Sequence, residues 1–385
     1  MLKTYRIEIK PTEEQRIKIN KTIGVCKFIY NFYITKNKET YEKTKKFMSA
    51  NDFSKWLNNV FLPNNQSCSW VKEVSSKAVK QSIYNAETAF KRFFKKQSSF
   101  PSYKKKHETN IKIYLPKNNK ADWDIERHRV KIPTLGFVRL KEYGYIPTDA
   151  KVKSGTVSKD SDRYFVSILT EVDIEKKEHS KVKPGIGIDL GIKDFAICSN
   201  GKIFKNINKT NKIKKLEKKL RKEQRSFSRK IETKKNKKGG ADKNISKNKL
   251  RIQRINTRLR NIRVEYVRFV VNSLVKANNL PEFISIEDLN VNGMMKNRHL
   301  SKAIQKQNFY YFRVFLIQQC TKYGVDVRVI NRFYPSSKMC SCCGAIKEDL
   351  KLSDRVYVCD CGNVIDRDYQ ASLNIRDCEM YKIAN

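Results

Sequence analysis

Residues 185–204, GIGIDLGIKDFAICSNGKIF, contain the pattern of β-prone runs and turns from which the fold of this chain is best predicted. Two β-prone runs flank Gly191-Ile192-Lys193, and an Asn200-Gly201 pair, typical of a tight hairpin turn, leads into a third run. The stretch therefore predicts a three-stranded antiparallel meander, with Asp189 in the middle of its first strand.

Beyond this meander, helices and strands are predicted to alternate. Two long basic amphipathic helices from about Asn211 to Asn279 precede a buried strand in EFISIEDLNV and a helix in SKAIQKQNFYYFRVFLIQQCTKYG. A strand in VDVRVINRFY and a closing helix from about Asp366 follow. This order is that of the RNase H-like fold, in which acidic side chains from the first strand, the fourth strand and the last helix meet at one edge. Asp189, Glu287 and Asp368 occupy those three places.

Two aspartates and a glutamate at one edge suit phosphodiester hydrolysis with two Mg²⁺ ions, because hard cations need several carboxylate oxygens close together. Each acid also has an ordinary structural interpretation. Asp189 could begin a turn, and Glu287 or Asp288 could cap the helix that follows. Asp366 and Asp368 both suit a helix N-terminus. We take Asp366 as the N-cap, which leaves Asp368 to face the sheet edge.

Five of the ten cysteines lie between Cys340 and Cys361, a spacing that favours metal binding over a disulfide framework. The pairs Cys340-x-x-Cys343-Gly and Cys359-x-Cys361-Gly have the layout of a zinc ribbon, in which four thiolates hold one structural Zn²⁺. The second pair has one spacer residue rather than the usual two. Cys342 could replace Cys340 or Cys343 as a ligand, although the Cys-x-x-Cys-Gly spacing favours the outer pair.

The net charge of the chain is +43, from 82 Lys and Arg against 39 Asp and Glu. Such an excess is best matched by a polyphosphate, so nucleic acid is the expected partner. No run approaches the roughly 18 apolar residues of a membrane span, and MLKTYRIEIK lacks the apolar segment of a signal peptide. We therefore expect a cytoplasmic, nucleoid-associated protein with no membrane partner and no small-molecule substrate.

The N-terminal part divides by periodicity. Apolar residues recur at helical spacing up to about Phe94, whereas the period shortens to two from about Ile111 to Glu171. We predict an α+β protein of several domains: a helical domain at 11–100, a small β-barrel from 1–10 with 101–180, and an RNase H-like domain at 181–385. The last would contain a basic helical hairpin at 211–279 and a zinc-ribbon insertion at 336–365.

Taken together, these motifs resemble the TnpB family. The resemblance is carried, in chain order, by YRIEIKPTEEQ, GVCKFIYNFYI, GIDLGIKDFA, IEDLNVNGMMKNRHLSKAI, FYPSSKMCSCCG and CDCGNVIDRDYQASLNI. TnpB proteins are transposon-encoded RNA-guided DNA endonucleases, often labelled OrfB-type transposases and related to type V CRISPR effectors. Two features depart from the family pattern. The usual Asn-Ala-Ala after the last acid is Gln370-Ala371-Ser372 here, and the second cysteine pair is short.

The resemblance implies that a RuvC-like, Mg²⁺-dependent nuclease site falls on Asp189, Glu287 and Asp368. It implies that the zinc ribbon falls on Cys340, Cys343, Cys359 and Cys361. It also implies a helical recognition lobe and a wedge-type barrel, which would clamp a guide RNA derived from the element end and target double-stranded DNA.

The resemblance further implies that the DNA carries a short transposon-adjacent motif, read in part by Lys77 and Gln81, which lie one helical turn apart. The basic helices would contact the phosphates of the RNA–DNA heteroduplex through Lys218, Lys219, Arg221 and Lys222. In both places an ordinary solvated helix face is the alternative interpretation.

The activity implied is thus RNA-guided cleavage of double-stranded DNA next to that motif. A strand-transferring transposase that uses the same three acids is a second hypothesis, because the fold permits it. A guide-dependent repressor that binds without cutting is a third. It is disfavoured, since relatives of that kind lose an acid and all three acids are present here.

Overall fold

The computed structural model describes residues 2–105, 112–119, 122–172, 181–236, 242–275, 280–351 and 354–384. The chain forms two compact units, Met1–Ile174 and Glu175–Asn385. None of the helices in the described ranges is both long and apolar enough to cross a bilayer.

The first unit combines helices with one antiparallel sheet. Its strands follow the order β2-β6-β7-β1-β5-β4-β3, so the N-terminal strand is central and pairs with both β7 and β5. A π-helical segment (Leu57–Phe61) and a 3₁₀ segment (Gln66–Glu73) lie between the helices. The elements are β1 (Leu2–Lys10), α1 (Glu13–Thr44), α2 (Ala50–Trp56), α3 (Leu62–Asn64), α4 (Ser76–Phe94), β2 (Ile113–Pro116), β3 (Asp124–Ile125), β4 (Arg129–Ile132), β5 (Gly136–Leu140), β6 (Lys151–Asp160) and β7 (Arg163–Glu171).

Local sequence explains where helix α1 begins. Thr12 and Gln15 form a capping box at the start of α1: the Gln15 N–H donates to Thr12 Oγ1 at 3.3 Å, and the Thr12 N–H donates to Gln15 Oε1 at 3.0 Å. The predicted change of period is confirmed, because α4 ends at Phe94 and every following strand of this unit lies between 113 and 171. The finer division of this unit into two domains stays a prediction.

The second unit contains the predicted meander and the alternating helices and strands. Its main sheet has the order β11-β10-β9-β13-β14-β17, with β9, β13 and β14 parallel, as in an RNase H-like fold. The elements are β8 (Lys181–Lys183), β9 (Ile186–Leu190), β10 (Asp194–Cys198), β11 (Ile203–Lys205), α5 (Asn211–Asn236), α6 (Asp242–Leu274), β12 (Leu280–Pro281), β13 (Phe283–Glu287), α7 (Val291–Met294), α8 (Ser301–Gln307), α9 (Phe309–Tyr323), β14 (Asp326–Ile330), β15 (Val356–Val358), β16 (Val364–Asp366), α10 (Arg367–Asp377) and β17 (Tyr381–Ile383).

Two expectations about this unit are wrong. The single helix predicted for 301–324 is two helices, α8 and α9, separated at Asn308, whose φ of 57° lies in the left-handed region that asparagine tolerates. The break places Gln307 so that its Nε2 donates to the carbonyl oxygens of Gly191 and Ile192. The closing helix is also not the last element, because β17 pairs antiparallel with β14. The loop predicted between the two basic helices, KKNKKGGADKN at 234–244, overlaps the ends of α5 and α6, and its residues 237–241 lie outside the described residues.

Candidate active site

Alternation along β9 and β13 directs two of the predicted acids to one face of the main sheet. In β9, Ile186 and Ile188 pack in the core cluster that also contains side chains of α6 and α9. Gly187 and Asp189 therefore point to the opposite face. The strand β13 repeats this alternation and ends at Glu287, as predicted.

Gly187 marks the closest approach of α10 to that opposite face. A Cβ at this position would lie 2.0 Å from the backbone oxygen of Ser372 and 2.5 Å from the backbone nitrogen of Arg376. Neither atom can withdraw unless the helix moves, so only glycine allows this contact. The contact brings α10 against the face that carries Asp189. Sequence reasoning assigned no role to Gly187, although a glycine inside a buried strand is a signal for such an approach.

The first turn of α10 carries the third acid. Asp366 is its N-cap, as predicted, since Asp366 Oδ1 accepts from the N–H groups of Asp368 and Tyr369 at 3.0 Å each. Asp368 lies within the turn, and its Oδ1 accepts from Arg367 Nη2 at 3.0 Å. Its Oδ2 lies 3.6 Å from Arg355 Nη1. Protein cations therefore already neutralise part of the charge of Asp368.

The electrostatics indicate that the three acids share one region. The pKa of Asp189 is raised to about 8, first by burial and then by the negative charges of Glu287 and Asp368, while the positive charge of Arg367 opposes the rise. Burial also raises the pKa of Glu287. The three carboxylates are nevertheless spaced more widely than the ligands of one ion. Among the described residues, only the cysteines form a group of His, Cys, Asp or Glu ligand atoms all within 4.8 Å of one another.

Two neighbours of Glu287 make contacts that sequence reasoning did not predict. The Ser336 hydroxyl donates to Glu287 Oε1 at 2.6 Å and opposes the rise in its pKa. Asp288 accepts from Arg313 Nη1 and Arg332 Nη2, both at 2.6 Å, and these bonds lower its pKa. The helix that Glu287 or Asp288 might have capped is capped by Asn290, whose Oδ1 accepts from the Gly293 N–H.

The four predicted zinc ligands lie together in the second unit. Cys340 Sγ is 3.7 Å from Cys361 Sγ, and Cys343 Sγ is 3.6 Å from Cys359 Sγ. Four sulfurs about 2.3 Å from a tetrahedral Zn²⁺ would be about 3.8 Å apart, so this group fits zinc. Cys342 is exposed and is not part of the group.

Backbone geometry and hydrogen bonds support this cysteine cluster. Gly344 and Gly362, which follow the two pairs, have φ values of 76° and 86°, in the left-handed region that favours glycine in tight turns. Burial disfavours the Cys340 thiolate, but N–H donors from the Cys343 backbone, the Asn363 side chain and the Cys342 backbone outweigh it and lower its pKa to about 6.

The cysteine cluster is also joined to α10. Asn363 Nδ2 donates both to Cys340 Sγ at 3.4 Å and to Gln370 Oε1 at 3.0 Å. Asn374 Nδ2 donates to the backbone oxygens of Ser336 and Met339 at 2.7 Å each. The same helix that presents Asp368 is therefore bonded to the cysteine cluster and to the segment that supplies the hydroxyl bonded to Glu287.

Comparison with known proteins agrees with this architecture. Family models match residues 1–46 (OrfB helix-turn-helix domain), 167–298 (OrfB of IS605 type, "Probable transposase") and 309–375 (Cas12f1-like TNB domain). The chain is 27% identical over 373 residues to "Putative RNA-guided DNA endonuclease InsQ" of Escherichia coli (strain K12). The aligned residues cover 93% of this chain and 87% of that protein. These matches support the resemblance to the TnpB family that the sequence motifs indicate.

A second TnpB-like relative and a solved structure extend the comparison. "Putative RNA-guided DNA endonuclease" of Streptomyces pristinaespiralis is 28% identical over 374 residues, covering 97% of this chain and 88% of that protein. The cryo-EM structure of a Cas12f1-sgRNA-target DNA complex contains a chain with a TM-score of 0.63 and 14% identity, covering 99% of both chains. That likeness shows a shared fold.

Two sets of predicted nucleic-acid contacts in this chain are accessible to different degrees. Lys77 and Gln81 lie on α4 and are half-buried; Lys77 Nζ is 3.5 Å from Asp122 Oδ2, and Gln81 Nε2 donates to Asn85 Oδ1. The basic cluster on α5 consists of Lys218, Lys219, Arg221 and Lys222. Its side chains are exposed and line a cleft with a volume of about 1160 Å³.

Proposed function

We propose that this chain is an RNA-guided DNA endonuclease that cleaves double-stranded DNA next to a short transposon-adjacent motif, using a Mg²⁺-dependent RuvC-like site of two ions. The observation that supports this proposal most is the packing of α10, which carries Asp368, against the sheet face from which Asp189 and Glu287 project. Two curated relatives are named as putative RNA-guided DNA endonucleases, and the chain covers most of their length.

The acidic residues fit Mg²⁺ on chemical grounds. The raised pKa of Asp189 means that the protein does not fully compensate the charge of this half-buried carboxylate, which a divalent cation would do. Carboxylate oxygens are the ligands that Mg²⁺ prefers. Two Mg²⁺ ions held by Asp189, Glu287 and Asp368 would supply activation of water and stabilisation of the leaving oxygen.

The remaining residues of the site orient these ligands. Ser336 holds one oxygen of Glu287, and the Asp366 cap holds the first turn of α10. Arg355 and Arg367 are close enough to Asp368 to bind a phosphate of the substrate as well. A structural Zn²⁺ held by Cys340, Cys343, Cys359 and Cys361 would supply rigidity to the segment that is bonded to α10.

Nucleic-acid recognition is proposed to divide between base pairing and protein contacts. A guide RNA from the element end would select the target by pairing, while the basic cluster on α5 would contact phosphates regardless of sequence. Lys77 and Gln81 would read the adjacent motif, and Lys77 would exchange its ion pair with Asp122 for a contact with the DNA.

The test is a plasmid cleavage assay with the protein purified together with RNA expressed from its native locus. The target would be flanked by randomised sequence, and no transposon ends would be supplied. We expect a linear product that requires Mg²⁺, the guide and a matching target, and that is absent with Asp189→Ala. Binding without cutting would favour a repressor, and cleavage or joining that appears only in a parallel reaction with added transposon ends would favour a strand-transferring transposase.

A further inference from the structure

A cleft of about 690 Å³ lies beside the acidic residues in the second unit. We call it the Phe333 cleft, and its lining includes Asp288, Arg313, Arg332, Phe333, Met380 and Lys382. Asp288 directly follows Glu287 in the chain, and the Asp288 N–H donates to the carbonyl oxygen of Ile330 at 3.1 Å. The cleft therefore begins one residue from a proposed metal ligand.

Two apolar side chains in this cleft are unusually exposed. Phe333 is 86% exposed and Met380 is 79% exposed, the two largest values among the large apolar residues that the structure describes. A lone exposed apolar residue is ordinary, but two that line one cleft indicate a surface that a ligand covers.

The exposure of Phe333 results from an ordered turn. The Phe333 N–H donates to Asn331 Oδ1 at 2.9 Å, and the Tyr334 N–H donates to the Asn331 carbonyl oxygen at 3.0 Å. The turn leaves the sheet at Ile330, the register partner of Glu287, and returns at Ser336, whose hydroxyl donates to the Glu287 carboxylate. Phe333 is therefore exposed on a turn whose two ends, Ile330 and Ser336, both contact Glu287.

The charges around the ring favour an anionic ligand. Arg313 and Arg332 each use one nitrogen on the carboxylate of Asp288, at 2.6 Å, and a guanidinium has further N–H donors to offer. Lys382 adds a third cation, against the single carboxylate of Asp288. A flat apolar ring next to several cations is the combination that binds a nucleotide, whose base stacks and whose phosphate pairs.

We propose that the Phe333 cleft holds a nucleotide of the single DNA strand being cut, with its base stacked on Phe333 and its phosphate near Arg313 and Arg332. This inference rests on the proposed function and adds a substrate-binding residue to it. A base held on the turn that carries Phe333 would place the neighbouring phosphodiester at the acids. Such positioning lowers the entropic cost of reaching the reactive geometry.

A fluorescence titration tests the stacking without requiring cleavage or a guide. The three native tryptophans, Trp56, Trp70 and Trp123, all lie in the first unit. The fluorescence of a tryptophan added to the second unit is therefore obtained by subtracting the signal of the wild-type protein. We expect single-stranded DNA to quench Phe333→Trp more strongly than the matched control Tyr310→Trp, whose site on α9 is also well exposed at 71%. Equal quenching of the two variants would overturn the proposal.

A second measurement uses the complete complex with guide and target. We expect Phe333→Ala to slow cleavage about tenfold, within the range of losses when a stacking residue is removed, and Phe333→Tyr to restore the rate. Guided binding of the target should change less than about twofold. Wild-type cleavage by Phe333→Ala would overturn the proposal, as would concentration-dependent dimerisation that Phe333→Ala abolishes, which would show that a second copy covers the cleft. If no guided cleavage is found at all, the proposed function fails, and the fluorescence result still decides whether the cleft binds a base.

Discussion

The acidic residues and the cysteine cluster are two candidate metal sites of opposite design in the same unit. The cysteine sulfurs already stand 3.6 and 3.7 Å apart in pairs and come from one short segment of chain. The carboxylates come from β9, β13 and α10, are spaced more widely, and bear raised pKa values at Asp189 and Glu287. A closed site built for stability and an open site built for a substrate differ in this way.

Removing an acid should have the largest effect and should leave the cysteine cluster intact. We expect Asp189→Ala, Glu287→Gln and Asp368→Ala each to lower the cleavage rate by roughly a thousandfold or more, because each removes a proposed metal ligand. Guided DNA binding and zinc content should persist in all three. Cleavage rates and metal analysis of the purified variants provide the check.

The matched control for Asp368 is Asp366→Ala, which removes the cap of the same helix and should cost about 1 kcal/mol of stability. An essential Asp366 with a dispensable Asp368 would show that the last acid has been assigned to the wrong residue.

Removing a cysteine of the cluster should instead cause the loss of zinc. Cys343→Ser and Cys361→Ser are expected to lose the single zinc of the chain, whereas Cys342→Ser should keep it because Cys342 lies outside the group. Elemental analysis would measure the zinc, and thermal unfolding would measure the loss of stability. Full zinc in Cys361→Ser would mean that Cys342 or another group is the fourth ligand.

Gly187→Ala should act on the acids through packing alone. The added Cβ would collide with the backbone of α10 and should cost about 1–3 kcal/mol of unfolding free energy while displacing Asp368 from Asp189. We expect cleavage to fall by more than tenfold with zinc retained. Gly24→Ala is the control, since a Cβ there meets nothing within 4 Å and alanine favours the helix α1. Wild-type stability and cleavage in Gly187→Ala would contradict the close approach.

Ser336→Ala should have the smallest effect of the four changes. It removes one hydrogen bond between a buried hydroxyl and a charged carboxylate, a contribution of about 1.5–3 kcal/mol in general. We expect a cleavage rate about tenfold lower, restored by Ser336→Thr, and a loss of stability no larger than that contribution. A change in zinc content instead would assign Ser336 to the cysteine cluster.

Much of both sites was predictable because the signals are local. Alternating patterns placed Asp189 within a strand and Glu287 at the end of another, and short cysteine spacings identified the four thiols that lie together. The choice of Asp366 as the cap also followed from sequence, since a cap and its helix are neighbours in the chain.

The partners of those residues were not predictable, because each contact joins segments that are distant in sequence. Nothing near Asp288 indicates that Arg313 and Arg332 bind it, and nothing near Ser336 indicates that its hydroxyl faces Glu287. The three-residue strand β17 is defined by its pairing with β14, not by a pattern of its own.

For this protein, local patterns predicted most of the order of helices and strands, the resemblance to the TnpB family, the acids and the thiols, since periodicity and ligand spacing are properties of neighbouring residues. Only the folded chain shows which acid each cation neutralises, how closely α10 approaches Gly187 and where Phe333 is exposed. Those features depend on side chains that meet only after the sheet has formed, and their energies arise from burial and distance, which a linear pattern does not contain.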